Sequence, residues 1–174
     1  STQNRPWSTD VTTMEKITSL LKKLKSKAAP QAHLHHLTFQ EGEMFGWNHT
    51  ACAISYNPSA KDAQMYLLHE FGHALLGHTS YSRDIVLLKM ERDAWEAARE
   101  LGTEYGVHMS DEIIEGSLDT YRDWLHSRSL CPRCSATGIQ SKSQQYSCPA
   151  CRKTWEVNEA RTCALRRYTK KRSV

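Results

Sequence analysis

The chain has 174 residues, 39% of them hydrophobic and 24% charged, enough for one modest domain and an appendage. No apolar run approaches the ~20 residues of a membrane-spanning helix, and no basic, apolar and small leader opens the chain, so a cytoplasmic protein is expected. Residues 1–127 carry 12 Lys/Arg and 17 Asp/Glu (net −5), residues 128–174 carry 11 and 2 (net +9), and together these give the net +4. That asymmetry points to an anionic partner for the basic end, nucleic acid among the candidates, or to a solvated tail that aids solubility.

Residues 1–10 are polar. From a cap at Thr12 or Thr13, the residues Met14, Ile17, Leu20, Leu21 and Leu24 recur at helical spacing, and Ala28-Ala29-Pro30 ends the helix. Its other face carries Lys16, Lys22, Lys23, Lys25 and Lys27 and is read as solvated. Between His33 and Asn57 the pattern changes to short strands, with turns at Glu41-Gly42-Glu43 and near Asn48-His49. A small, mostly antiparallel sheet is expected there. His33, His35 and His36 fall on alternating faces of a strand and are read as solvated or packed histidines.

Lys61 to His78 reads as the next helix, with Met65, Leu68, Phe71, Leu75 and Leu76 at helical spacing. It carries His69-Glu70-Phe71-Gly72-His73, an H-E-x-x-H motif. Residues four apart share a helix face, so both imidazoles can reach one ion while Glu70 stands beside it. Zinc at such a site makes water acidic near neutral pH, and Glu70 is placed as general base, which is the pattern of the zincin metallopeptidases. Two glycines in one helix need a reason: Gly72 fits a close approach by another backbone, and Gly77 fits a helix end.

A loop at 79–82 leads to a helix from about Asp84 to Leu101, broken at Gly102 to Gly106. Ser110-Asp111 starts a further helix with Ile113, Ile114, Leu118, Tyr121, Trp124 and Leu125 on its inner face. The helix from Asp84 should supply the third ligand. A glutamate on a helix following H-E-x-x-H marks the gluzincins, and Glu91-Arg92-Asp93-Ala94 has the form E-x-x-A. Glu91 is the choice, Glu96 the runner-up, and Asp93 a candidate to support an imidazole from behind. His78 does not fit the spacing of zincins that use a third histidine, so it is placed at the rim or the helix end.

HEFGHALLGH followed by ERDAWEAA resembles the ImmA/IrrE family of small metallopeptidases over roughly residues 13–127. The resemblance implies zinc on His69, His73 and Glu91, Glu70 as general base, and a helix-turn-helix repressor as substrate. It also implies a zincin-like α+β core in which an edge strand holds the peptide, for which residues 51–56 are the candidate. Where the family commonly shows E-x-E-A-N the chain has Glu91-Arg92-Asp93-Ala94-Trp95, departing at Asp93 and Trp95, and the family's usual leucine-proline ending is missing. Tyr81, His78 and His126 are candidates for the oxyanion donor or rim.

Cys131-Pro132-Arg133-Cys134 and Cys148-Pro149-Ala150-Cys151 form two C-P-x-C knuckles 13 residues apart. Four thiolates at this spacing close a tetrahedral structural zinc site, a zinc ribbon. The polar segment between them holds too few apolar side chains for a core, so the ion is expected to supply the folding energy. The ribbon either staples the tail or recognises protein or nucleic acid. Beyond it, Arg166-Arg167 and Lys170-Lys171-Arg172 with Tyr168 between them could lie along phosphates. Cys52 and Cys163 are read as ordinary thiols.

The expectation is therefore a zinc metallopeptidase domain over 1–127, a zinc ribbon over 128–158 and a basic tail over 159–174, acting on a protein substrate. Beside it stand a toxin or anti-host factor of a mobile element, using the same chemistry on another target, and two further rivals. One is a SprT-like protease acting on DNA-bound protein, which would put a third histidine on the metal. The other is a non-catalytic binding module that uses the ribbon and tail.

Overall fold

The computed structural model describes residues 8–158, with residues 8–11 as backbone only, and the backbone of Arg167–Tyr168. In chain order the elements are α1 (Ser8–Ala28), β1 (Thr38–Glu41), β2 (Gly46–Asn48), β3 (Ala53–Tyr56), α2 (Ala63–Leu75) and α3 (Asp84–Tyr105). There follow α4 (Asp111–Ser129), β4 (Ile139–Lys142), β5 (Gln145–Ser147), β6 (Thr154–Val157) and β7 (Arg167–Tyr168). The class is α+β. No helix among the described residues is long and apolar enough to cross a membrane. Apart from the backbone of Arg167–Tyr168, the basic tail and Cys163 lie outside the described residues.

Contacts divide the chain into two compact units, residues up to Thr79 with Arg92–Ser110, and Ser80–Glu91 with the residues from Asp111. The division falls inside α3, directly after Glu91, within one uninterrupted helix.

In the first unit α1 buries Ile17, Leu20, Leu24 and Ala28, a stripe at helical spacing, and packs against α2. The helix starts at Ser8, so Thr12 and Thr13 lie within it and neither is its cap. His33 stands in a short 3-10 turn (Ala32–Leu34) rather than a strand, and its Nε2 lies 3.1 Å from the Ala74 carbonyl.

The sheet order is β1-β3-β2, with β1 parallel to β3 and β2 antiparallel to it. The sheet is therefore mixed, and residues 51–56 do not offer an edge. β3 has both sides taken by hydrogen-bonded neighbours, and three of its four residues are buried, as a central strand requires. The open edges belong to β1 and β2.

α2 packs on β2, β3 and α1 and is buried on most of its circumference, through Met65, Leu67, Leu68, Phe71 and Ala74. Its end is set by Gly77 at φ 66°, with Gly77 N–H bonding to the Ala74 carbonyl and His78 N–H to the His73 carbonyl, both at 3.0 Å. This is a Schellman turn, and it needs the left-handed conformation that glycine adopts freely. α3 runs through Gly102 and stops at Gly106 (φ 68°), where Val107 N–H bonds back to the Gly102 carbonyl. The break expected at Gly102 thus falls at the second glycine.

In the second unit β4, β5, β6 and β7 form an antiparallel sheet beside the cysteine knuckles. Tyr146 and Trp155 stack at 5.7 Å and, with Val157 and Cys148, make a small buried cluster. The cysteine-bearing segment therefore has a small apolar core, formed by Tyr146 of β5 and Trp155 of β6, the two aromatic residues that flank the second knuckle in the sequence. The buried Asp84 at the start of α3 ties this unit together. It accepts from Arg128 Nε (2.9 Å) and from the Tyr146 hydroxyl (2.5 Å), and its own N–H donates to Gln140 Oε1 (2.8 Å). Gln140 thereby satisfies a helix-terminal N–H that has no partner within the helix, and Asp84 stands at the positive end of the helix dipole.

Candidate metal centres

His69 and His73 lie one turn apart on the buried face of α2, and their Nε2 atoms stand 3.2 Å apart. One ligand atom from each, together with a carboxylate oxygen of the buried Glu91, fall within 4.8 Å of one another. Two nitrogens bonded to one tetrahedral ion at ~2.05 Å would be separated by roughly 3.3 Å. The observed spacing is compatible with a shared ion, and the donor set suits one.

The surrounding chain explains the placement. Gly72, between the two histidines, lies so close to α3 that a Cβ there would meet the Ala94 carbonyl oxygen at 2.6 Å. Only glycine lets α2 and α3 approach this closely, and Glu91 precedes Ala94 by one turn. Trp95, buried on the same helix, stacks on the His69 ring with centroids 4.0 Å apart and planes 22° from parallel. His73 is held from behind, its Nδ1 being 2.8 Å from His78 Nδ1. Glu70 is half-buried on the turn that carries His69.

The four ribbon thiols form the second group, with Sγ atoms 3.6 Å apart for Cys131–Cys151 and 3.5 Å for Cys134–Cys148. Zinc–sulfur bonds of ~2.3 Å in a tetrahedron would give roughly 3.8 Å, whereas a disulfide would give ~2.0 Å. Each knuckle also turns backbone N–H groups onto sulfur, Arg133 to Cys131 and Cys151 to Cys148, both at 3.4 Å. The residue after each knuckle, Ser135 or Arg152, has a φ of 60°, which closes the turn.

Burial pushes the Cys131 thiol up, but the backbone N–H groups of Cys134 and Arg133 and the neighbouring thiols outweigh it and bring it down to about 6. Cys148 is lowered too, first by the Cys151 N–H. At Cys134 the Ala136 N–H lowers the value, yet the Cys148 thiol, burial and the other thiols raise it to about 12. Adjacent thiols cannot all ionise together unless a cation replaces their protons.

No family model, curated protein or solved structure matches this chain.

The remaining candidates part company. Glu96 lies on the solvent face, 67% exposed and 3.9 Å from Arg92, and stands outside the ligand group. Asp93 accepts from Arg92 at 2.9 Å. Tyr81 is half-buried in the loop before α3. His126 is exposed on α4 and lines a cavity of about 520 Å³ with Leu88, Leu125 and Ile139. Cys52 Sγ lies 3.8 Å from the His33 carbonyl and joins neither metal group. Sequence reasoning missed Trp95 as a support for His69. The available signal was its place one helical turn after Glu91.

Proposed function

We propose that this chain is a zinc-dependent endopeptidase of the gluzincin type, resembling the ImmA/IrrE family, with a structural zinc in the ribbon. The observation that carries the reading is the convergence of buried His69 and His73 on α2 with buried Glu91 on α3, with Glu70 next to His69 in the chain. When bound there, zinc supplies Lewis acidity, polarising a carbonyl and making water acidic near neutral pH. His69, His73 and Glu91 hold it. Glu70 takes the proton of the attacking water and passes it to the leaving amine.

An extended peptide would add to the open edge of β2, where Trp47 donates to the His78 carbonyl at 2.8 Å. The third ligand in this reading is a carboxylate, which favours the ImmA/IrrE resemblance over the SprT-like one. A repressor is the proposed substrate, and the basic C-terminal region would bring the enzyme to an anionic partner.

Replacing Glu70 with Gln tests the reading. Folding and a content of two zinc ions per chain should persist, while cleavage of fluorescence-quenched peptides falls about 10²–10⁴-fold, the usual share of a general base. Undiminished cleavage by Glu70→Gln would sink the mechanism, and cellular activity untouched by the change would favour a binding module.

A further inference from the structure

The Schellman turn at Gly77 does more than end α2. In this turn the residue after the glycine folds back over the residue at the start of the last helical turn, where an apolar pair usually meets. Here the two positions are His78 and His73. Their Nδ1 atoms lie 2.8 Å apart, with ring centroids at 5.0 Å and planes at 66°. The backbone of His78 is fixed from two sides, its N–H on the His73 carbonyl at 3.0 Å and its carbonyl on Trp47 Nε1 at 2.8 Å.

A neutral imidazole carries one N–H. His73 turns Nε2 towards His69 Nε2, so binding an ion through Nε2 leaves the proton on Nδ1. That N–H then donates to His78 Nδ1, which must accept, with the His78 proton on its own Nε2.

We propose that His78 is a positioning residue, which sets the tautomer and ring orientation of His73 so that its Nε2 lone pair faces the metal. Partners of this kind, behind a ligating histidine, are usually carboxylates or carbonyls. Here a second imidazole takes the place, delivered by the turn that terminates the helix. The proposal rests on the metal reading of His69, His73 and Glu91 and is independent of peptidase activity.

The test uses the full chain and zinc affinity measured by competition with a chromophoric chelator, the ribbon zinc serving as internal reference. His78→Leu keeps an apolar side chain over His73 but removes the acceptor. His78→Asn restores an acceptor, since Oδ1 stands where Nδ1 was. The Leu variant should lose about 10–100-fold in affinity at the histidine site, the Asn variant should recover most of it, and ribbon zinc should be unchanged. Zinc held by His78→Leu as tightly as by the unaltered chain, or by His78→Asn as weakly as by the Leu variant, would overturn the proposal and leave the metal site standing. An unaltered chain that binds one zinc only, through its thiolates, would overturn both.

Discussion

Replacing Gly72 with Ala probes the contact that brings the two helices of the histidine site together. Ala is favoured over Gly in a helix by about 1 kcal/mol, so at an open position the change stabilises. Gly72 is not open. A new Cβ would stand 2.6 Å from the Ala94 oxygen, and ordinary contact begins at 3.4 Å, so the backbones must part by the difference, 0.8 Å. The obstacle is a main-chain carbonyl that no rotamer change can move aside. Overpacking of this kind costs about 1–3 kcal/mol, which cancels or exceeds the propensity gain. The net loss of about 1 kcal/mol should lower Tm by ~2–4 °C in a chain of this size.

The larger effect falls on the ligands. Glu91 stands one turn from Ala94 and moves with it, while metal–ligand distances tolerate only ~0.2 Å. Zinc affinity at the histidine site should fall by at least about tenfold, read by chelator competition. Gly116 supplies the control, because it lies inside α4 with nothing within 4 Å of its would-be Cβ. Gly116→Ala should raise stability by up to ~1 kcal/mol and leave both metals alone. If the two alanine variants stabilise equally and Gly72→Ala keeps its zinc affinity, the close approach of α2 and α3 is not what shapes this site.

Three further outcomes are expected. Cys131→Ser should leave the ribbon sheet unfolded at zinc concentrations that fold the unaltered chain, because the thiolate-bound ion contributes folding energy; loss of β6 amide protection in hydrogen exchange would report it. Tyr146→Phe removes the donor to the buried Asp84 carboxylate and should cost about 1.5–3 kcal/mol near neutral pH. Burial and Asp84 raise the Tyr146 pKa, so folding holds its proton more tightly than the unfolded chain does. The contribution is complete below pH ~10 and is lost as pH rises beyond it, so Tm should fall more steeply between pH 10 and 11 in the unaltered chain than in Tyr146→Phe. Trp95→Ala should cost about 3–5 kcal/mol and loosen zinc at the histidine site by removing the ring that His69 stacks on, whereas Trp95→Phe should keep most of both, as thermal unfolding and chelator competition would show.

The two histidines and the four cysteines were legible in the chain because their defining relations are local. Four residues along a helix return to the same face, and two residues between cysteines suffice to turn two thiols towards one ion. Glu91 was reached through the E-x-x-A pattern rather than through any local geometry. Gly72 and Gly77 were legible as anomalies, since a glycine inside an amphipathic helix demands a cause. Strand order was not legible. Residues 51–56 pair with β1 and β2 alike, and nothing in four residues states how many neighbours a strand has; their near-continuous burial in the fold marks the centre of the sheet.

Residue type and spacing alone thus marked the two histidines and the four cysteines, because those donors stand at short separations along the chain, whereas the choice of Glu91 over Glu96 waited for the fold. The fold decided what stands behind those donors. Trp95 reaches His69 because α3 crosses α2 at Gly72, and His78 reaches His73 because the chain reverses at Gly77. Those contacts depend on where whole helices pack and where they stop, which is settled by burial summed over many residues and is written at no single position.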